Sequence, residues 1–189
     1  MLSLATAPTE EPVTLDEAKT FLRVDQAEED PLITALIVSA RVSAETITRR
    51  VLVTQTWDYA LDSFPLWVLD VPLPPLQSVT SITYLDSNGV SQVLAASKYK
   101  VDIISSPGRI TPAWGEVWPP TRGELNDITV RFVAGYGNAA AVPASIKQWM
   151  FMRIATLYEQ REQHSTENLL ALPHAFMEGL LDPYRVLTV

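Results

Sequence analysis

The chain has 189 residues, of which 47% are hydrophobic and 19% charged, and its formal net charge is −8. This composition excludes disordered and fibrous proteins, and the absence of cysteine excludes disulfides and thiolate metal sites. Because 22 carboxylates outnumber 14 lysines and arginines, tight binding along a nucleic-acid backbone is not expected. We expect neither a membrane span, which needs an apolar run of ~18 residues, nor a secretory signal.

The first predicted elements are two helices within residues 13–53. The first begins with a capping box, in which Thr14 accepts from the backbone of Glu17 and the Glu17 side chain reaches back to Thr14. In the second, Asp30 is the expected N-cap and Pro31 the first helical residue. Apolar residues recur at helical spacing in both segments, which predicts one apolar face on each helix.

A small antiparallel β unit is predicted over residues 54–134, because the apolar period changes there from 3.6 to 2. Trp57 and Tyr59 alternate with polar neighbours, and Asn88-Gly89 is expected to supply the positive φ angles of a tight hairpin turn. The prolines of this region mark loops or edge strands and argue against a central parallel sheet. Further strand candidates are 99–103, 108–112 and 127–135.

A third long helix is predicted over residues 143–163, with Pro143 in its first turn. An apolar tail over residues 164–189 follows, interrupted at Pro173 and Pro183. The predicted fold class is therefore α+β. It consists of a helical bundle, a small antiparallel β unit inserted between the second and third long helices, and a C-terminal docking tail.

Before the third helix, the pattern Gly135-x-Gly137-x-x-Ala140 imitates a dinucleotide-binding fingerprint. That fold requires a second strand ending in an acidic residue about 20 residues later, and here one long helix follows instead. We interpret the two glycines as a hinge that lets the chain leave a strand and enter a helix at a new angle.

No motif indicates an active site. A G-x-S-x-G elbow, an H-E-x-x-H helix and a phosphate-binding loop are all absent from the sequence. The only histidines, His164 and His174, fall in the interrupted tail. We therefore expect no enzyme activity and no catalytic, cofactor-binding or metal-binding residue.

Two tryptophans, Trp114 and Trp118, lie in the proline- and glycine-rich segment 107–120. They either cover the open end of the β unit or contact a neighbouring protein, because tryptophan and arginine are common interface anchors. Under the second interpretation the candidate contact residues are Arg109, Trp114 and Trp118.

The C-terminal tail carries many apolar side chains, and its prolines prevent them from forming one continuous amphipathic helix. These side chains either pack back on the chain's own helices or dock onto another protein. The candidate docking residues are Leu169, Leu170, Leu172, Phe176, Met177, Leu180, Leu181, Tyr184, Arg185 and Val186.

Several segments follow one another in a characteristic order. They are VTLDEAKTFLRVD, DPLITALIVSARVSAETITRRVL, TQTWDYALDSFP, VPLPPLQSVTSITYLDSNG, YKVD, PGRITPAWGEVWP, VRFVAGYG, VPASIKQWMFMRIATLYEQRE and LLDPYRV. In this order, over roughly residues 13–187, the chain resembles the head–tail connector (adaptor) proteins of long-tailed bacteriophages, of the type with a long insertion after the second helix. Similar proteins occur in prophages and gene transfer agents.

The resemblance implies a structural virion protein that performs no chemistry and needs no cofactor. It implies a ring of copies, usually twelve, that joins the portal to the tail or head-closure protein and conducts double-stranded DNA without binding it specifically. The C-terminal segment would engage the portal, and the protein would be made in the host cytoplasm, away from membranes. A second hypothesis is a tail-completion or head-closure protein whose main partner is the tail tube. Apolar flanks wider than one stripe, as in LITALIVSA and IKQWMFMRIA, would supply the two faces that a ring subunit needs.

Overall fold

A computed structural model describes residues 1–160, 177 and 179–186 of the chain. The chain divides into two compact units, which we call the β unit and the helical unit. The β unit comprises Met1–Thr9 and Thr54–Tyr136, and the helical unit comprises Glu10–Val53 and Gly137–Val189. The α+β class predicted from the sequence is confirmed.

The helical unit contains three helices that pack against one another: α1 (Leu15–Leu22), α2 (Asp30–Thr48) and α3 (Ala144–Glu159). Their spacing of apolar residues gives each helix a buried face, because positions three or four apart lie on one side. The fully or almost fully buried residues include Val13, Ala18, Ile33, Ile37, Ala40, Ala44, Ile146, Trp149, Met150 and Ile154.

The start of α1 is as predicted, and the start of α2 differs. Thr14 Oγ1 accepts from the Glu17 amide at 3.2 Å, and the Glu17 carboxylate accepts from the Thr14 amide at 2.8 Å. In α2, the N-cap is Glu29 and Asp30 is the first helical residue, so the expected Asp30 cap is wrong. Asp30 is not free to cap the helix, because its carboxylate binds Lys19 Nζ at 2.6 Å.

The β unit contains eight strands in two sheets, and every pairing is antiparallel. The five-stranded sheet has the order β1-β2-β8-β4-β5, and the three-stranded sheet has the order β3-β7-β6. The strands are β1 (Leu2–Thr6), β2 (Gln55–Leu61), β3 (Leu69–Val71), β4 (Leu76–Leu85), β5 (Ser91–Val93), β6 (Tyr99–Asp102), β7 (Gly108–Pro112) and β8 (Ile128–Ala134).

Strand β8 is the centre of the larger sheet, and it alternates in burial as a half-buried strand should. Phe132 lies opposite Trp57 of β2 and Val79 of β4, and its side chain is completely buried. The other face of β8 carries Arg131, whose guanidinium pairs with Asp58 of β2 at 2.7 Å. The larger sheet therefore has one apolar face and one face that carries polar side chains, among them the Arg131–Asp58 pair.

The turn between β4 and β5 is not the one expected. Gly89 has a φ of 77°, whereas Asn88 is not among the residues with positive φ. The Asp86 carboxylate accepts from the amides of Asn88 and Val90, and the Asp86 amide donates to the Val90 carbonyl. These bonds hold a longer turn with a single left-handed residue, which needs glycine only at position 89.

Strand β1 and the glycine pair Gly135 and Gly137 are two further features of the fold. Strand β1 was not predicted; it pairs with β2, and the Met1 amino group donates to the Ala60 carbonyl at 2.8 Å. The glycine pair lies where the chain passes from the β unit to the helical unit, with φ of 125° at Gly135 and 118° at Gly137. Both angles are ones that residues with a side chain rarely adopt.

Candidate protein-interaction surfaces

Helix α2 exposes a face without a single charged side chain. Its exposed residues are Pro31, Leu32, Thr34, Ala35, Val38, Ser39, Val42 and Thr46. Val42 is 48% exposed, and Leu32 and Val38 are nearly 40% exposed. We call this surface the uncharged face of α2. Solvent-facing helix surfaces normally carry charged residues, so this face has the character of a contact surface.

The charged residues that α2 does contain are all paired within the helical unit. Arg41 is nearly buried, and it binds Glu11 through Nε at 2.7 Å and Glu45 through Nη1 at 2.8 Å. These two carboxylates help to raise the pKa of Arg41 against the opposing effect of burial, so the guanidinium remains charged. Asp30 pairs with Lys19. No charge of α2 is therefore left to repel a surface that approaches the uncharged face.

By length and composition, α2 is also the one helix within the described residues that is apolar enough to cross a membrane. A single such helix is weak evidence, because core helices of globular domains pass the same test. Here α2 packs on α1 and α3 and anchors a nearly buried arginine. These contacts are those of a core helix.

A second apolar surface lies at one end of the three-stranded sheet, in the loops before β3 and after β7. Leu66 and Trp67 precede β3 and are 92% and 70% exposed, while Trp114 and Val117 follow β7 and are 97% and 78% exposed. Because β3 and β7 pair antiparallel, with Leu69 opposite Ile110, these two loops leave the sheet at the same end. We call Leu66, Trp67, Trp114 and Val117 the apolar loop end.

The two tryptophans of segment 107–120 have different environments. Trp118 stacks on Phe64 with ring centroids 4.7 Å apart and planes 3° apart, and its Nε1 is buried. Trp118 therefore covers the β unit, as in the first of the two predicted alternatives. Trp114 is almost completely exposed and covers nothing. Of the two rings, only Trp114 is exposed enough to contact a neighbouring protein.

Local contacts hold the loop that presents Trp114. The Ala113 amide donates to the Lys98 carbonyl and the Glu116 amide donates to the Ala113 carbonyl, both at 2.9 Å. Lys98 Nζ binds both oxygens of Glu116, at 2.8 and 2.9 Å. The predicted contact residue Arg109 lies on the outer face of the smaller sheet, paired with Asp70 at 3.4 Å. A loop ordered in this way loses less conformational freedom when it binds a partner.

The end of the C-terminal tail packs on the helical unit. Leu181 is fully buried, and the Val186 amide donates to the Thr48 carbonyl at 3.0 Å. Arg50 Nε donates to the Tyr184 carbonyl at 2.6 Å, and the Tyr184 hydroxyl lies 3.1 Å from Ser145 Oγ.

For these residues the structure corresponds to the alternative in which the tail packs on the chain's own helices. Arg185 pairs with Asp182 at 3.2 Å, and Met177 and Leu180 are half-buried. The candidate docking residues Leu169, Leu170, Leu172 and Phe176 lie outside the described residues.

Several acidic side chains of the described residues hold local structure. Among the described residues, no group of three or more acidic or histidine side chains could hold a metal ion. Those carboxyl groups whose pKa departs clearly from its ordinary value are Glu17, Asp58, Asp86 and Asp102, and in each the pKa is lowered by hydrogen bonds. A general acid needs the opposite shift. These groups stabilise a helix cap, an ion pair and two turns.

Sequence reasoning missed several parts of these surfaces. Leu66, Trp67 and Val117 were not singled out, although a tryptophan between two prolines at positions 65 and 72 is a signal for a loop-borne aromatic. The complete absence of charge on the outer face of α2 was also visible in the sequence. It becomes informative only when the helix is placed and the partners of Arg41 and Glu45 are known.

Comparison with known proteins finds one matching protein family and several solved structures with the same fold. Residues 12–82 match the model of the phage gp6-like head-tail connector protein family. Comparison with curated protein sequences finds no match. The resemblance to head–tail connector proteins that was predicted from the sequence is confirmed by the family match.

Three solved chains share the fold over the whole length. One lies in the neck of an empty GTA particle, computed with C6 symmetry, with a TM-score of 0.83 and 23% identity. A second belongs to the virion of a native gene transfer agent particle, with a TM-score of 0.82 and 22% identity. A third lies in the neck of a native GTA particle, computed with C12 symmetry, with a TM-score of 0.79 and 24% identity. Each alignment covers 100% of this chain and 97% of the other.

Proposed function

We propose that this chain, whose residues 12–82 match the model of the head–tail connector family, is a structural subunit of the neck of a phage-like virion. Copies form a ring, twelve in number as in the C12 neck, that joins the portal to the tail and conducts double-stranded DNA. The protein performs no chemistry. The single observation that carries the ring is the uncharged face of α2.

The argument for self-association starts from net charge. Copies with a formal charge of −8 repel one another in solution, so they approach most easily through surfaces without charge. The uncharged face of α2 is such a surface, and its apolar side chains Leu32, Val38 and Val42 are partly exposed. Burying apolar side chains there contributes about 25 cal/mol for each Å² removed from water. A contact between copies is therefore favourable at this face.

The same charge supports a conduit for DNA. Twelve copies at −8 each would bring about 96 negative charges into one ring. Phosphates approaching such a ring are repelled, so DNA passes without being held. Membership of the ring would place the protein at the head–tail junction of the virion.

For the portal contact, we keep the candidate tail residues other than those that hold the end of the tail on the helical unit. Leu181 is fully buried within the helical unit and is withdrawn from the set of docking residues. Tyr184 and Val186 hold the end of the tail on the subunit. The residues proposed to engage the portal are Leu169, Leu170, Leu172, Phe176, Met177 and Leu180.

The ring is tested with Val38→Glu combined with Val42→Glu. Both side chains are exposed enough for the fold to accept a carboxylate, and two added charges on an apolar face prevent close packing. Electron microscopy and mass measurement, with and without portal, should show rings for the natural protein and monomers for the variant. Ser87→Glu at the exposed tip of the β4–β5 turn is the matched control and should leave ring formation intact. Natural protein that stays monomeric even with portal contradicts the proposal.

The portal contact is tested separately, with Leu169, Leu170, Leu172 and Phe176 all replaced by serine. This variant keeps residues 181–186, which hold the tail on the helical unit, so it is expected to fold and to lose portal in a pull-down. Undiminished portal binding would show that the tail does not dock. Binding to isolated tail tubes in place of portal would favour the tail-completion hypothesis.

A further inference from the structure

A closed ring of identical subunits requires two different complementary surfaces on each copy. If α2 of one copy met α2 of another, the contact would be two-fold and would close a dimer. The surface that meets α2 in the next copy must therefore lie elsewhere on the chain. Within the described residues, the apolar loop end carries both strongly exposed tryptophans, together with Leu66 and Val117, whereas Ile103 and Ile104 form a smaller exposed apolar pair.

We propose that the apolar loop end of one copy packs on the uncharged face of α2 in the next copy, and that this contact repeats around the ring. The inference rests on the proposed function, because it assigns the second of the two surfaces that a ring subunit needs. It names another copy of this chain as the occupant of both surfaces.

The exposed area of the loops is large enough for a stable contact. A fully exposed tryptophan presents about 250 Å². At 70% and 97% exposure, Trp67 and Trp114 together present about 400 Å². This is about half of the ~800 Å² that each partner buries in a standard protein interface, before Leu66 and Val117 are added. Exposed apolar surface of several hundred Å² often marks a functional contact.

The two surfaces also fit each other in shape. On α2, the small residues Ala35 and Ser39 lie between the larger Leu32, Val38 and Val42, so the helix presents ridges and a shallow groove. An indole ring from a projecting loop fills a groove between aliphatic side chains well. Trp114 is held in such a projecting position by the Lys98–Glu116 pair and by the backbone bonds of Ala113.

Charge favours the same pairing. The four side chains of the apolar loop end are uncharged, and Glu116, which lies between Trp114 and Val117 in the sequence, is paired with Lys98. The face of α2 that it would meet carries no charge either. In a chain with a net charge of −8, these are the surfaces through which two copies meet without repulsion.

The inference is tested by complementation between two variants. The loop variant carries Leu66→Ser and Trp114→Ser, at positions that are 92% and 97% exposed, so its fold should not change. The helix variant carries Val38→Glu and Val42→Glu. Under conditions in which the natural protein forms rings, each variant alone should remain monomeric.

An equal mixture should form dimers and no larger species, because only one intact loop end and one intact α2 face are available. Dimers that contain one copy of each variant, identified by mass, support the inference. A loop variant that still forms rings would overturn it while leaving the connector function intact. Natural protein that forms no ring under any condition would instead contradict the connector function itself.

A second measurement locates the contact. The chain has no cysteine, so Ser39→Cys and Val117→Cys can be introduced without interference. Disulfides form only where Cα atoms come within about 7 Å. Cross-linked dimers in the mixture of the two single variants, with none in either variant alone, support the inference. Cross-links in Ser39→Cys alone would show that α2 meets α2 and would overturn it.

Discussion

The helical unit and the β unit present their exposed apolar residues in different ways. In the helical unit most of these residues lie on α2, a regular helix whose backbone is ordered by its own hydrogen bonds and by packing on α1 and α3. In the β unit most of them lie in loops, where Trp114 projects from a turn held by an ion pair and two backbone bonds. The first surface is the exposed side of a helix whose other side packs in the core. The second is a loop that projects from a sheet and is held by local contacts.

This difference shows how one chain can prepare two unlike contact surfaces. A helix face is already ordered, but it meets an apolar partner only when it carries no unpaired charge. On α2, Arg41 and Glu45 pair with each other within the helical unit. A loop needs polar contacts that fix it, and once fixed it places a large side chain farther from the core than a strand can. Two different and complementary surfaces, here a helix face and a projecting loop, are what head-to-tail association requires.

The largest expected effect is on the core of the β unit. Phe132→Ala removes a fully buried ring from the central strand β8 and should lower the free energy of unfolding by about 3–5 kcal/mol. Chemical denaturation at equilibrium measures the change. Val133→Ala, on the opposite face of the same strand and half-buried, is the matched control. Its cost should be about 1 kcal/mol, because less apolar surface is lost. Equal losses in the two variants would show that the sheet is not packed on one face.

A smaller loss of stability is expected in the helical unit when Arg41, which pairs with Glu11 and Glu45, is replaced. Arg41→Met leaves the carboxylates of Glu11 and Glu45 close together without their cation. Breaking a fully buried pair costs about 3–5 kcal/mol, and about 2–3 kcal/mol is expected here because both carboxylates are partly exposed. Equilibrium denaturation gives the size of the loss. Replacing Glu11 by Gln in the same chain should recover part of it, and the absence of recovery would show that the loss comes from packing alone.

The organisation of the helical unit could be predicted because its information is local. The Thr14–Glu17 capping box and the apolar spacing of α2 and α3 depend on residues a few positions apart. The exception is the cap of α2. Asp30 has the residue type of an N-cap, but its carboxylate is used by Lys19, a residue that is 11 positions away in the sequence. A tertiary contact overrode the local preference.

The β unit was predicted as a unit and less well in its parts. The change of apolar period after residue 53 marked where it begins again after α2, and the sequence showed no reason to join Leu2–Thr6 to it. That pairing links residues at least 50 positions apart, and a five-residue segment has too few positions to show a period of 2 clearly. The hairpin turn was misjudged because the Asp86 carboxylate, and not Asn88, decides its geometry.

The candidate surfaces divide in the same way. A wide apolar flank on α2 was predicted from spacing, whereas the different roles of Trp114 and Trp118 could not be. Both tryptophans lie in one proline-rich segment, and only the position of Phe64 determines which ring is covered. The exposure of a loop residue depends on whether residues distant in the sequence pack against it. A local sequence pattern does not contain this information.

The smallest expected effect concerns the polar face of the larger sheet, where Arg131 binds both oxygens of Asp58 at 2.7 Å. The hydrogen bonds from Arg131 are the main cause of the lowered pKa of Asp58, and burial opposes them. A carboxyl group whose pKa is lower in the folded state stabilises the fold above its unfolded pKa, near 3.9, and loses this contribution as the pH falls through the folded pKa.

Arg131→Gln should therefore raise the pKa of Asp58 towards its ordinary value, as measured by NMR titration. At neutral pH the loss of stability should be small, because Arg131 is exposed to solvent and the pair is screened. Arg109→Gln, on the smaller sheet, should leave the pKa of Asp58 as it is in the natural protein. An unchanged pKa in Arg131→Gln would mean that the pair does not persist in solution, and that the polar face is held by its backbone ladder alone.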